Sequence, residues 1–181
     1  MQLTNQQYDL AFQSCKEIFI KKTKDYGTSW RVLRPISVVD QIFIKAQRIR
    51  NIQQIGKQRV GDDIASEFRG IVNYGIIGLI QIELKTESVE DAPLETAVQW
   101  YGEQSRRAKD TMLDKNHDYG EAWRNMSQES FVDLILVKLL RIRQILANDG
   151  RTLISEGIDA NYIDIINYAL FALVLLGEPG N

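Results

Sequence analysis

One stretch of this chain occurs twice. Lys22-x-x-Asp25-Tyr26-Gly27-x-x-Trp30-Arg31 is matched by Lys115-x-x-Asp118-Tyr119-Gly120-x-x-Trp123-Arg124, every position shifted by 118 − 25 = 93 residues. The same offset relates Tyr8 to Tyr101, Ser37 to Ser130, Asp40 to Asp133, Lys45 to Lys138, Arg48 to Arg141 and Arg50 to Arg143. Asn73-Tyr74 and Asn167-Tyr168 match at an offset of 94, so one residue was gained in the loop between them. A match of this length is an internal duplication, and it fixes the domain plan before any single residue is interpreted.

Each copy reads as three helices. Tyr8, Phe12, Cys15 and Phe19 recur at helical spacing after Thr4, a candidate N-cap, and Gly27 supplies a stop. Ser37 and Asp40 resemble a capping box opening a second helix that carries Val39, Ile42, Ala46 and Ile49 and ends near Gly56. Asp62 or Asp63 opens a third helix that runs through Phe68, Ile71, Val72, Ile76 and Leu79 to about Lys85. The second copy replays this from Leu94, with Ser130 and Asp133 at the start of its second helix and Gly150 at the end. No strand-like alternation stands out. The expected fold is all-α, with a first repeat over residues 1–85, a linker over 86–93 and a second repeat over 94–177. So short a unit buries its own apolar face poorly, so the copies should pack together as one pseudo-twofold bundle.

Lys and Arg number 22 against 24 Asp and Glu. That balance argues against an extended DNA-binding face but leaves room for a small anion held by local cations. A lone cysteine, Cys15, excludes an intramolecular disulfide and suits a reducing cytosol, and it reads as a core residue. The N-terminus lacks the pattern of a signal peptide. The most apolar run, Ala169 to Leu176, is shorter than a bilayer span and reads as a buried helix. The expectation is a cytoplasmic protein with no membrane partner, its homo-oligomerisation left open.

Three features run against default helix design. Asp25 and Asp118 each lie in a last helical turn, at the negative end of the macrodipole. They call for a cation, either a local partner in Arg31 and Arg124 or a ligand-facing loop. His117 is replaced by Lys24 in the first copy and reads as a surface residue. Arg143, and Arg50 in the first copy, fall in the same arc of the second helix as Leu136, Leu139 and Ile142. A guanidinium there needs a carboxylate or a phosphate. Lys138 and Arg141, on the flank, suit either solvent or a phosphate clamp. Asp164 and Asn167 lie three apart on a helix that is apolar almost all round. Glu129 and Asp133 on the preceding helix could complete a Mg²⁺ site with Asp164; the competing reading pairs Asp164 with Arg143 or Lys138. In the first copy Gly70 stands opposite Asp164 and Ile36 opposite Glu129, which marks that copy as degenerate and as a partner wall that could lend Glu67.

The combination Lys-x-x-Asp-Tyr-Gly-x-x-Trp, Lys-x-x-Arg-Ile and, in the second copy, Asp-x-x-Asn-Tyr resembles the nucleotide-modification-associated domain of bacteria and phages. Its three-helix layout is similar to the all-α nucleoside triphosphate pyrophosphatases of the MazG and dimeric dUTPase group. That likeness implies Mg²⁺ held by paired acidic motifs and cleavage between the α- and β-phosphates. Glu129-x-x-x-Asp133 and Asp164-x-x-Asn167 occupy comparable places but depart from the group's pattern in spacing and residue type. The implied site has Glu129, Asp133 and Asp164 on the metal. Lys138, Arg141 and Arg143 lie on the phosphates, and Tyr119 or Trp123 on the base beside Asp118. Lys115, Arg124 and Asn167 complete it. The pseudo-symmetric counterparts are Lys22, Asp25, Tyr26, Trp30, Arg31, Asp40, Lys45, Arg48, Arg50, Glu67 and Asn73. The functions in view are a Mg²⁺-dependent nucleotide pyrophosphohydrolase, a non-catalytic nucleotide-binding module, and a helical interaction protein whose charges pair internally.

Overall fold

The computed structural model describes the chain except for Met1, residues 58, 60, 62, 86–90, 154–155 and 178–181. The described residues form six helices: α1 (Gln2–Tyr26), α2 (Pro35–Ile55), α3 (Ile64–Leu84), α4 (Leu94–Tyr119), α5 (Gln128–Ala147) and α6 (Ile158–Leu176). A single 3-10 turn at Ser29–Val32, and another at Ala122–Asn125, carries the Trp-Arg pair of each repeated stretch. No strand occurs among the described residues.

The helices pair as a duplicated unit should. α3 packs on α6 at the centre, α2 covers α3, α5 covers α6, and α2 meets α5. α1 and α4 each touch both α3 and α6, so each copy's first helix is shared with the other copy. The pseudo-twofold axis is visible in two ion pairs. Arg143 donates to Asp40 at 2.7 Å, and Arg50 lies 3.4 Å from Asp133. Each residue of one pair is the repeat equivalent of a residue in the other, so the axis passes between α2 and α5.

Helix ends explain several departures from the sequence reading. α1 begins at Gln2, and Thr4 caps nothing: it is buried, and its hydroxyl bonds Glu121. α2 begins at Pro35, whose fixed φ and missing N–H suit the first helical position, so Ser37 and Asp40 lie inside the helix and form no capping box. The corresponding cap of α5 is Ser127, which accepts from the Ser130 N–H, so Ser130 is the capped residue. Gly27 and Gly120 end α1 and α4 in the left-handed region, at φ +66° and +59°, donating to the Thr23 and Asn116 carbonyls. The linker returns onto the first of these corners, where Asp91 accepts from the Thr28 N–H at 2.6 Å.

Asp63 caps α3; the alternative, Asp62, and residues 86–90 of the expected linker lie outside the described residues. The Asp63 carboxylate accepts from the Ser66 N–H at 2.7 Å, and hydrogen bonds from Ser66 hold its pKa below the usual carboxylate range. Asp63→Ala should remove about 1 kcal/mol of stability, or roughly 2–4 °C of Tm for a chain of this size. A depressed folded-state pKa stabilises above the unfolded value, near 3.9, and loses that contribution as pH falls through the folded value. The difference between wild type and variant, read by urea unfolding, should therefore be full at neutral pH and fade in strong acid.

The core is continuous across both copies. Cys15 is fully buried in it, with its thiol pushed up to about 12 by burial. α6 is long and apolar enough to cross a bilayer by length and composition, but 78% of that stretch is buried as the central helix of the bundle.

Candidate functional site

Two polar residues of the repeated signature turn out to hold the copies together. Tyr8 donates its hydroxyl to Asn167 Oδ1 at 2.7 Å, and Tyr101 donates to Asn73 Oδ1 at 2.8 Å. The amide nitrogens of the same asparagines donate to the carbonyls of Ala108 and Cys15, at 3.2 and 3.0 Å. Each asparagine thus binds the first helix of its own copy through nitrogen and that of the other copy through oxygen. Asn73 and Asn167 are occupied in the core and do not face a ligand.

The Trp-Arg pairs also turn inward. Trp123 stacks on Phe171 with centroids 4.2 Å apart and planes 5° apart, and the Arg124 guanidinium covers it at 4.4 Å. Its ring is closed to a base. Arg124 further donates to Thr4 and Gln7, each at 2.7 Å, tying the start of α1 to the second corner. Arg31 is buried and bonds Gln81, whose amide donates to the carbonyls of Trp30, Arg31 and Leu33. Neither arginine holds the neighbouring aspartate. Asp25 is exposed, and Asp118 is exposed beside an exposed His117, so water solvates both carboxylates. Tyr119 is also exposed.

Asp164 is 6% exposed and is neutralised from two sides. Lys115 donates to one oxygen and Lys138 lies on the other, each at 2.6 Å. Burial lowers the Lys115 pKa, but the hydrogen bond and charge of Asp164 outweigh it, and the net shift is upward. The expected metal site is not assembled. Asp164 has both oxygens taken, Asp133 faces Arg50 at the dyad, and Glu129 is exposed. Among the described residues no three acidic, histidine or cysteine side chains converge. The donor set therefore does not fit Mg²⁺. The i, i+4 spacing does put Glu129 and Asp133 on one face of α5, but that face is turned to solvent and α2. Arg143 does not reach Asp164: it pairs with Asp40 and lies over the Phe43 ring at 4.4 Å. Arg141 is exposed and borders a separate open hollow with Arg151 and Glu156.

The first repeat is arranged differently. Its acid on the third helix, Glu67, stands one turn earlier and matches Asn161 rather than Asp164. Glu67 accepts from Arg48 at 2.7 Å and lies a looser 3.5 Å from Lys45. Gly70 occupies the place of Asp164, and Lys45 lies across it: a Cβ there would fall 2.8 Å from Lys45 Cε. A cavity of about 440 Å³ lies between α1, the first corner, α2 and α3, bordered by Gly70 and walled by Lys22, Tyr26, Trp30, Lys45, Glu67 and Tyr74. Lys22 is exposed and has no acidic partner among the described residues, and Tyr26 is 57% exposed at the rim. The Trp30 indole N–H is buried without an acceptor. The same holds for Trp123, but only Trp30 borders this cavity. The copy marked by its sequence as degenerate is thus the one whose repeated-stretch lysine and tryptophan, Lys22 and Trp30, line a described cavity. Gly70 was the available signal, read as a lost acid when it makes room for Lys45 beside the cavity.

The family described as nucleotide modification associated domain 1 matches the chain twice, over residues 22–82 and 115–176. The chain belongs to that family. Its two matches begin at the first lysine of each repeated stretch and cover both second and third helices, so the nucleotide modification associated domain is what was duplicated. Comparison with curated proteins and with solved structures returned no match.

Proposed function

We propose that this protein is a nucleotide-binding module whose ligand enters the first-repeat cavity. One observation carries the reading: a cavity of about 440 Å³ that joins two lysines to aromatic walls, a combination suited to a phosphorylated aromatic ligand. Membership in a nucleotide-modification-associated family supports a nucleotide as that ligand. The pyrophosphohydrolase reading drawn from the MazG-like layout needs converging carboxylates. Of its candidate acids, Asp164 is held by Lys115 and Lys138, Asp133 by Arg50, and Glu129 is exposed. Binding without hydrolysis is therefore the better supported activity.

The test is a thermal-shift panel of deoxynucleoside mono- and triphosphates, each with and without Mg²⁺, alongside an assay for released phosphate and pyrophosphate. A ligand at 100 times its Kd adds about 2.7 kcal/mol, hence roughly 5–11 °C of Tm. The expected outcome is such a shift without Mg²⁺ and without turnover. A panel with no shift, or with product release, overturns the proposal.

A further inference from the structure

The two copies carry the same cations at equivalent positions: Lys22, Lys45 and Arg48 in the first, Lys115, Lys138 and Arg141 in the second. Each copy also places one buried acid on its third helix. What differs is which cations the acid consumes. In the second copy Asp164 takes both lysines, at 2.6 Å each, and Arg141 is left in solvent. In the first, moving the acid back one turn to Glu67 makes Arg48 its close partner. Lys45 is left at 3.5 Å, and Lys22 has no acid among the described residues. Gly70 then stands where the second copy has its carboxylate, with Lys45 lying over it beside the cavity.

We propose that the ligand's phosphate sits between Lys22 and Lys45 over Gly70, and that Asp164 is a built-in counterpart of that phosphate which closes the second copy. This inference rests on the proposed nucleotide site and makes it specific. The chain binds one ligand rather than two, and the ligand class is a nucleoside monophosphate. Two ammonium groups complement the near-dianionic charge of a phosphate monoester, which carries about −1.5 to −2 at neutral pH. The base lies toward Tyr26, Trp30 and Tyr74, the aromatic part of the wall. Asp164 shows that this fold accommodates an anion on such a lysine pair: its carboxylate is buried and both oxygens are used.

The experiment exchanges the two copies' residues and measures binding by calorimetry of the full chain with dAMP, dCMP, dGMP and dTMP and the four unphosphorylated deoxynucleosides. Wild type should bind one equivalent of at least one monophosphate, and the matching nucleoside at least tenfold more weakly. Gly70→Asp should pair with Lys22 and Lys45 as Asp164 does with its lysines, keep or raise Tm, and weaken binding by about 100-fold or more. Gly70→Ala adds only a methyl against the flexible end of Lys45 and should stay within a few-fold of wild type. Asp164→Gly frees Lys115 and Lys138 while Trp123 stays closed to a base, so titrated with inorganic phosphate it should bind one more equivalent than wild type; if it does not fold, Gly70→Asp alone decides. If wild type binds none of the monophosphates, this seat falls, and the nucleotide site falls with it when the triphosphates also give no thermal shift. Several results overturn the seat while leaving nucleotide binding standing: Gly70→Asp binding as wild type does, Gly70→Ala losing as much as Gly70→Asp, a nucleoside matching its monophosphate, or a folded Asp164→Gly binding no more inorganic phosphate than wild type.

Discussion

Asn167→Leu should lower stability by roughly 1–3 kcal/mol, because it strands the buried Tyr8 hydroxyl, bonded at 2.7 Å. It also takes a second bond, at 3.2 Å, from the Ala108 carbonyl, which lies inside α4 and keeps its helical partner. Tyr8 is fully buried and Asn167 nearly so, so water cannot replace the amide without opening the bundle. Asn73→Leu should do the same through Tyr101 and the Cys15 carbonyl. A double-mutant cycle in urea unfolding separates this from simple loss of volume. Tyr8→Phe removes the orphaned hydroxyl, so the double variant Tyr8→Phe/Asn167→Leu should be less destabilised than the sum of its parts by about 1 kcal/mol or more. Independent effects would sink the assignment. So would an Asn167→Leu variant of normal stability that fails only in nucleotide binding, the behaviour expected of the ligand-facing role that family resemblance suggests.

These asparagines also mark how far the sequence could be read. The offset of 93 made the pseudo-twofold bundle legible, because residues in register must occupy equivalent places. It could not say whether an equivalent pair meets within a copy or across the dyad. Asp40 and Arg50 are ten apart on one helix and never meet; each finds the other's counterpart on α5. The partners of Asp164, both in its own copy, were only half legible. An acid on an apolar helix needs a partner, and Lys138 was a candidate, but the second lysine comes from the end of α4, 49 residues back. A metal was the alternative that sequence proximity offered. The 3-10 turns were missed because a single turn has no periodicity, and with them the inward orientation of both tryptophans. Gly70 was read as an absence of chemistry because a glycine in a helix interior carries no side chain to interpret. Its consequence, space beside two lysines, exists only in three dimensions.

Two further glycines show the same thing in the core, and Gly78→Val should lower stability by roughly 3 kcal/mol or more through overpacking. Gly75 and Gly78 are three apart on the face of α3 that meets α6. A Cβ at Gly78 would lie 2.6 Å from Tyr162 Cζ, and one at Gly75 the same distance from Ile166 Cγ1. The Tyr162 ring is buried and cannot swing aside as a surface chain would. The equivalent residues of α6 are Ala169 and Ala172, both fully buried, so both copies keep this contact small. In an exposed helix, replacing glycine by alanine gains about 1 kcal/mol. Here the collision should cancel that gain for Gly78→Ala and exceed it for valine. Urea unfolding of Gly78→Val/Tyr162→Leu should recover part of the loss, since the smaller side chain reopens the space. A Gly78→Ala variant that is stabilised by the full helix-propensity gain would show that α3 and α6 do not approach this closely. The functional consequence follows from position. Glu67 and Gly70 ride on the same helix two to three turns earlier. Displacing α3 from α6 should therefore move the cavity floor relative to Lys22 on α1, so Gly78→Val should weaken nucleotide binding even at temperatures where it remains folded.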